Sequence, residues 1–305
     1  MVSESQIPES KKLNAALERA MKKDSKKEMD YLTYLDQVKG LGLSVPAVET
    51  SNLDNETVNR LWEYNNRLKH ALKTSYVYVG GNLPENIDQL ISTYIATIEP
   101  GAEVPVNLES DTQVYANAPT EKLFPWKKES TKTNFMLSYK SKQPLTFKDK
   151  LIAEGIAEFG YINMYNILRK KYGLIYALGA NGYANKNQNL ASVSIRYVIE
   201  DVANVAKARK AMIDEVLMPM SQGNLTNHEA ETIKALLEKV YVTSFYDKDR
   251  ISSAYLKWGL DYGTLYTMEG FKEEIKSISK KDIEKTMRRI LNLNQYFMLI
   301  EGPEN

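Results

Sequence analysis

The hydrophobic pattern of this chain changes most clearly at residues 168–179, where a helical period gives way to a strand-like one. Before this point, apolar residues at helical spacing predict an amphipathic helix that ends near Arg169. Gly173 is expected to follow in a left-handed conformation, because a side chain would clash there. Residues 174–179 are then predicted to form a strand with Tyr176 near its start, so that Arg169 and Tyr176 project over the same end of a sheet. The apolar helical positions are Leu151, Ile152, Ile156, Phe159, Ile167 and Leu168.

Further strands are predicted where apolar residues alternate with polar ones, or where β-branched and aromatic residues cluster. These segments are residues 76–79, 134–139, 190–199 and 296–300. The turn-rich residues 181–189 are predicted to join the strand at Tyr176 to the next one as a β-hairpin with one buried and one polar face.

Helical spacing predicts helices over most of residues 10–72, over residues 84–98 and over residues 202–217. The last of these is expected to stop at Pro219, because proline lacks an N–H and its ring clashes with the preceding turn. Residues 102–130 are mostly polar and contain three prolines, and they are predicted to form a long connection.

Two capping boxes mark later helices: Thr226 with Glu229, and Ser279 with Asp282. The order of strands and helices predicts an α+β fold, in which an antiparallel-rich sheet is covered by helices.

The domain organisation is predicted from a change of pattern near residue 75. Residues 1–72 contain helical segments with narrow apolar faces and no strand pattern, so they are expected to be the tail of a preceding domain. Residues 73–305 contain all the predicted strands and form the α+β domain.

Composition restricts the classes of partner. Among 305 residues, 40 lysines and arginines balance 39 acidic residues, for a net charge of +1. This charge provides no overall field for nucleic acid or an anionic membrane, and no apolar run is long enough to span a bilayer. Twenty tyrosines are expected to serve mainly in packing. Partners must therefore be recognised locally.

Metal and nucleotide sites are not predicted in this chain. There is no cysteine, and the two histidines, His70 and His228, lack a second histidine at metal-ligand spacing. Both are expected to be surface or cap-adjacent residues. Gly80 and Gly81 follow a predicted strand but lack the spacing of a phosphate-binding loop.

Several separated segments together carry a family resemblance. Residues 76–83, 168–176 and 299–304 resemble, in order and spacing, pieces of the C-terminal, non-zinc-binding domain of the M16 (pitrilysin or insulinase) family of zinc peptidases. The resemblance covers roughly residues 75–304 and implies an M16-like αβ-roll. Family members bind zinc through a His-x-x-Glu-His motif in a different domain, and this chain lacks that motif.

The resemblance implies that this chain alone has no zinc and no hydrolytic activity, with the zinc expected in a partner catalytic half. The family's arginine and tyrosine correspond to Arg169 and Tyr176, which are expected to bind a peptide substrate. Arg169 is expected to bind a backbone carbonyl or a carboxylate of the substrate. Tyr176 is expected to bind a substrate carbonyl or the oxyanion that develops when water attacks. The exposed edge of the hairpin that includes residues 190–199 is a candidate to pair with an extended peptide.

Other interpretations stay open at this level. An arginine in the last turn of a helix often serves the helix dipole, and a strand tyrosine often serves packing. The chain is expected to be part of a peptidase, whether as a fragment or as a separate subunit, or alternatively a non-enzymatic peptide-binding or scaffolding protein on an inactive M16 domain. A third interpretation is an α+β domain whose resemblance to the M16 family is coincidental. The sequence also leaves open the substrate, the compartment of the parent protein and whether closure needs a homodimer. Bacterial relatives in this family are often exported.

Overall fold

The computed structural model describes residues 82–96, 118–125, 130–186 and 189–302, together with Glu56, Asn59, Arg60 and Glu63. The chain forms two compact units, Met1–Asn107 and Leu108–Asn305. In the first unit, helix α1 spans Ile87–Tyr94, within the predicted helix at residues 84–98. The predicted strand at residues 76–79 and the boundary between residues 72 and 73 lie outside the described residues and stay predictions.

The described part of the second unit is built on a five-stranded mixed sheet in the order β1-β5-β2-β4-β3. Its strands are β1 (Thr120–Pro125), β2 (Thr131–Lys140), β3 (Ala177–Asn185), β4 (Leu190–Ile199) and β5 (Tyr296–Gly302). The β1–β5 pair is parallel and the other pairs are antiparallel. This is the antiparallel-rich α+β architecture that the sequence predicts.

The helices of this unit are α2 (Phe147–Met164), α3 (Val205–Ala211), α4 (Met218–Ser221), α5 (Asn227–Phe245), α6 (Lys248–Tyr262), α7 (Met268–Ser277) and α8 (Lys280–Ile290). Both predicted capping boxes are present, at the starts of α5 and α8. Thr146 and Asp149 form a third at the start of α2. Each box pairs backbone N–H groups that the first helical turn leaves unbonded.

Side-chain alternation along the strands gives the sheet two different faces. The face covered by helices carries Phe135 and Leu137 of β2, Ile195 of β4 and Met298 of β5, each at most 1% exposed. Phe135 lies opposite both Ile195 and Met298, so the apolar residues of three strands form one layer. Helix α2 packs on β3 and β4, and α8 packs on β2 and β4.

Aromatic rings fill the core between α2 and the C-terminal helices. Phe147 stacks on Tyr266 with ring centroids 4.6 Å apart, and Tyr241 stacks on Phe271 at 4.1 Å. Trp258 is 1% exposed and lies among these rings. Large aromatic side chains bury extensive apolar area, so this cluster ties α5, α6 and α7 to the start of α2.

Two strand predictions need correction. Residues 118–125 belong to the predicted connection, yet Thr120–Pro125 forms β1. Proline is tolerated here because β1 is an edge strand. The strand after Gly173 begins at Ala177 rather than at residue 174, and it continues to Asn185. Residues 181–185 of the predicted link therefore belong to β3.

The predicted stop at Pro219 is also wrong. A 3₁₀ turn, Val202–Asn204, leads into α3, a π-helical segment at Met212–Leu217 and α4, which continues to Ser221. The backbone N–H of Met218 bonds to the carbonyl of Ile213, five residues earlier. Pro219 lies in the first turn of α4, directly after this wider pairing, and proline is tolerated in a first helical turn.

Candidate functional site

The helix end that carries Arg169 is wider than an ordinary α-helix. Residues Tyr165–Lys171 form a π-helical segment that continues α2. Gly173 follows with a φ of 61°, which confirms the predicted left-handed conformation. Its N–H bonds to the carbonyl of Arg169 at 3.1 Å, as in a glycine-ended helix. Single π-helical turns within helices occur frequently at functional sites.

Arg169 is exposed, and its guanidinium lies over the ring of Tyr165, 5.6 Å from the ring centroid. Lys170 is also exposed and lies over the same ring, at 5.2 Å. Among the described residues, Arg169 forms no ion pair and no side-chain hydrogen bond. Its donors therefore remain available to a carbonyl or carboxylate.

Tyr176 lies one residue before β3, and 66% of it is exposed. Its backbone N–H donates to the carbonyl of Val198 at 3.0 Å, which attaches it to β4. Its hydroxyl has no hydrogen-bond partner within the described part of the chain. The preceding residues, Leu174 and Ile175, are each 6% exposed and anchor the turn in the core. The structure thus presents both predicted site residues on one short, anchored connection.

A second contact holds this connection in place. Glu215, in the π-helical segment beside α3, accepts hydrogen bonds from Lys171 and from the hydroxyl of Tyr172, both at 2.6 Å. The hydrogen bond from Lys171 is the largest cause of a lowered pKa at Glu215, and the bond from Tyr172 is the second largest. The carboxylate of Glu215 therefore stays charged. The turn between Arg169 and Tyr176 is therefore fixed both by apolar burial and by a charged hydrogen bond.

Sequence reasoning missed a row of polar side chains on the sheet face opposite the helices. Arg196 of β4 donates from Nε to Oδ1 of Asn134 at 3.0 Å, and Nδ2 of Asn134 donates to Oε1 of Glu301 at 3.1 Å. Nζ of Lys132 lies 3.2 Å from the same carboxylate oxygen. Alternation in β4 does place Arg196 on a polar face. Arg196 and Asn134 are 62 residues apart along the chain, and Asn134 and Glu301 are 167 apart, so no local pattern could identify these partners.

The described residues do not form a zinc site. His228 is exposed, and the carboxylate of the adjacent Glu229 accepts bonds from the backbone and hydroxyl of Thr226 in a helix cap. Within the described residues, no group of three or more histidine, aspartate or glutamate side chains could hold a metal ion. His70 lies outside these residues.

No described helix has the length and apolar character needed to cross a bilayer.

A family comparison matches more than half of the chain. Residues 55–237 match the family described as the peptidase M16 inactive domain. The match includes both Arg169 and Tyr176. No curated protein matches this chain in sequence.

Solved structures share the fold at low sequence identity. A mutant of the ferredoxin protease FusC, in complex with Arabidopsis ferredoxin, matches with a TM-score of 0.63 and 11% identity over 91% of this chain and 30% of that chain. A protease from Helicobacter pylori matches at 0.61 and 9% identity over 83% and 60% of the respective chains. A peptidase M16 inactive domain from Pseudomonas fluorescens matches at 0.58 and 15% identity, over 85% and 60%. This chain spans less than two thirds of the length of each.

Proposed function

This chain belongs to the peptidase M16 inactive-domain family, and from that membership we propose that it is the non-catalytic part of an M16-type zinc metallopeptidase. In this proposal a zinc-bearing half, on the same parent polypeptide or on a separate subunit, cuts the peptide. The present chain contacts the peptide and closes the proteolytic chamber. Residues 1–72 are the helical tail of a preceding homologous domain, and residues 73–305 are the M16 C-terminal-type domain.

Arg169 and Tyr176 are the substrate-binding residues of this proposal. Arg169 binds a backbone carbonyl or carboxylate of the peptide, and Tyr176 donates its hydroxyl to a carbonyl or to the oxyanion that develops when water attacks. The observation that carries this assignment is that both side chains are exposed and keep free hydrogen-bonding groups within the described structure, although the turn between them is anchored. An anchored turn positions donors without the cost of ordering them on binding.

The hairpin gives the peptide a backbone to pair with. Because β3 is the outermost strand on its side of the described sheet, its outer edge is the hairpin edge proposed to take up an extended peptide. Tyr176 immediately precedes this strand, so a peptide bound along β3 would pass close to it.

The first test concerns the catalytic half. The reading frame that encodes this chain, or a neighbouring frame, should encode a domain with a His-x-x-Glu-His motif. Its absence from both would leave the chain without a catalytic partner and would favour a non-enzymatic peptide-binding or scaffolding protein.

The second test is reconstitution. The chain is mixed with the zinc-bearing half, and cleavage of an internally quenched peptide is followed by fluorescence. We expect Arg169→Ala and Tyr176→Phe each to lower kcat/KM by at least about tenfold, because each removes a donor to the substrate or to the transition state. Lys170→Ala, an exposed cation on the same Tyr165 ring, and Tyr246→Phe, an exposed tyrosine just after α5, are the matched controls and should retain activity. Full activity in both site variants would refute the assigned roles.

A further inference from the structure

We propose that Arg196 binds an acidic side chain of the peptide that pairs with β3, at the peptide position opposite Gly179. This inference rests on the proposed peptide-binding function and adds a substrate preference to it. Neither Arg196 nor Gly179 belongs to the pair of site residues predicted from the sequence.

The hydrogen-bond register determines which backbone groups of β3 point outward. The N–H of Ser141 bonds to the carbonyl of Asn189 at 2.6 Å, in line with the β2–β4 register. Since antiparallel residues alternate in direction, Arg196 directs its backbone groups toward β3, where it lies opposite Gly179. The even-numbered residues of β3, including Ala180 and Gly182, therefore direct their N–H and carbonyl groups outward.

One contact supports this assignment. Ala184 is also even-numbered, and its carbonyl accepts a hydrogen bond at 2.8 Å from the hydroxyl of Tyr262, which belongs to α6 and not to the sheet. Within the described residues, no strand pairs with the outer edge of β3. The edge before Ala184 can thus accept a peptide strand.

Gly179 leaves space above the sheet at this edge. A Cβ at this position would meet no atom of the described residues within 4 Å. A peptide residue opposite Gly179 in an antiparallel pair would occupy a non-hydrogen-bonded position, with its Cα about 4.5 Å away and its side chain on the same face as Arg196. That side chain can extend over the glycine toward Arg196, roughly 10 Å away at Cα across two strand spacings.

Arg196 carries a positive charge that a peptide carboxylate could pair with. Asn134 receives only the Nε–H of Arg196, and the nearby Glu301 carboxylate is already bonded to Asn134 and to Lys132. Arg196 is exposed and has no ion-pair partner in the described part of the chain. Its two terminal NH₂ groups therefore remain available, and arginine binds a carboxylate through paired, charge-assisted hydrogen bonds.

The test uses two blocked seven-residue probe peptides of alternating threonine and valine, one with a central glutamate and one with a central glutamine. Fluorescence anisotropy measures their binding to the full 305-residue chain. We expect the glutamate peptide to bind about tenfold more tightly, as one charge-assisted hydrogen bond implies. Arg196→Gln should reduce this ratio to about one. Gly179→Val, which fills the space above the edge, should weaken the glutamate peptide selectively.

Lys140→Gln is the matched control, because it removes an exposed positive charge from the same sheet face without touching Arg196. It should leave the glutamate-to-glutamine ratio unchanged. Equal binding of the two peptides to the native chain, or the same loss of preference in Lys140→Gln and Arg196→Gln, overturns the role of Arg196 and leaves edge binding intact. Binding of neither peptide overturns edge binding itself and, with it, this inference.

Discussion

Gly182 of β3 packs directly against the backbone of Ala153 in α2. A Cβ at position 182 would lie 2.2 Å from both the carbonyl carbon and the carbonyl oxygen of Ala153. Backbone atoms in a helix cannot rotate away as a flexible side chain can. We therefore expect Gly182→Ala to force the helix away from the strand and to lower the free energy of unfolding by about 3 kcal/mol, measured by urea denaturation.

Gly179 is the matched control in the same strand, because a Cβ there would meet no described atom within 4 Å. Gly179→Ala should change the free energy of unfolding by less than about 1 kcal/mol, since alanine only restricts the unfolded chain. Equal losses in the two variants would mean that the close approach of α2 does not explain why glycine is needed at position 182.

The second prediction concerns Lys150, a buried ammonium group of α2. Its Nζ pairs with Glu154 and donates to the hydroxyl of Tyr241 at 2.7 Å, and that hydroxyl donates to Glu154. Glu154→Leu should lower the free energy of unfolding by about 3 kcal/mol, because it leaves a buried charge without its carboxylate. The double variant Lys150→Met with Glu154→Leu should recover most of this loss.

A double-mutant cycle by urea denaturation measures this coupling. The explanation fails if the double variant loses the sum of the two single losses. Burial, and after it the charge of Glu154, raises the pKa of Tyr241 well above its ordinary value.

The third prediction is a pH dependence at Asp282 in the capping box of α8. This carboxylate accepts the hydrogen bond of Lys148 at 2.7 Å, the largest cause of a pKa lowered from 3.8 to about 2; bonds from Ser279 add to it. Because the folded pKa lies below the unfolded one, the stabilisation is present above about pH 4 and is lost as the pH falls through about 2.

We therefore expect Asp282→Asn to lower the free energy of unfolding by about 1 kcal/mol at neutral pH, a modest value because both partners are partly exposed. The difference between native and variant chains should shrink between about pH 4 and pH 2. Urea denaturation of both chains across this range gives the measurement. A difference that stays constant down to pH 2 would exclude the ionised carboxylate as its source.

The fourth prediction separates binding from stability at Arg169. Its described side-chain contact is with the Tyr165 ring at the protein surface, so Arg169→Ala should cost less than about 1 kcal/mol in the free energy of unfolding. Lys170→Ala should cost a similar amount. A large loss of stability in Arg169→Ala alone would mean that reduced peptidase activity in this variant reflects folding rather than substrate binding.

Local features could be predicted from the sequence because they depend on neighbouring residues. The caps at Thr226 and Ser279 need a carboxylate three residues later, and the left-handed Gly173 needs only the end of an amphipathic run. The M16-like fold was predicted in the same way, from segments whose spacing is visible along the chain. Predictions failed where a nonlocal partner decided the outcome: β1 is a strand because it pairs with β5, 177 residues later in the chain.

For the site, Arg169, Tyr176 and one polar strand face could be predicted from the sequence. Tertiary structure decided the rest. Strand order made β3 an edge, register placed Gly179 beside Arg196, and the fold brought Asn134 and Glu301 into one row. Hydrogen bonds between strands join residues far apart in sequence, and the pattern within one strand specifies its faces but not its neighbours.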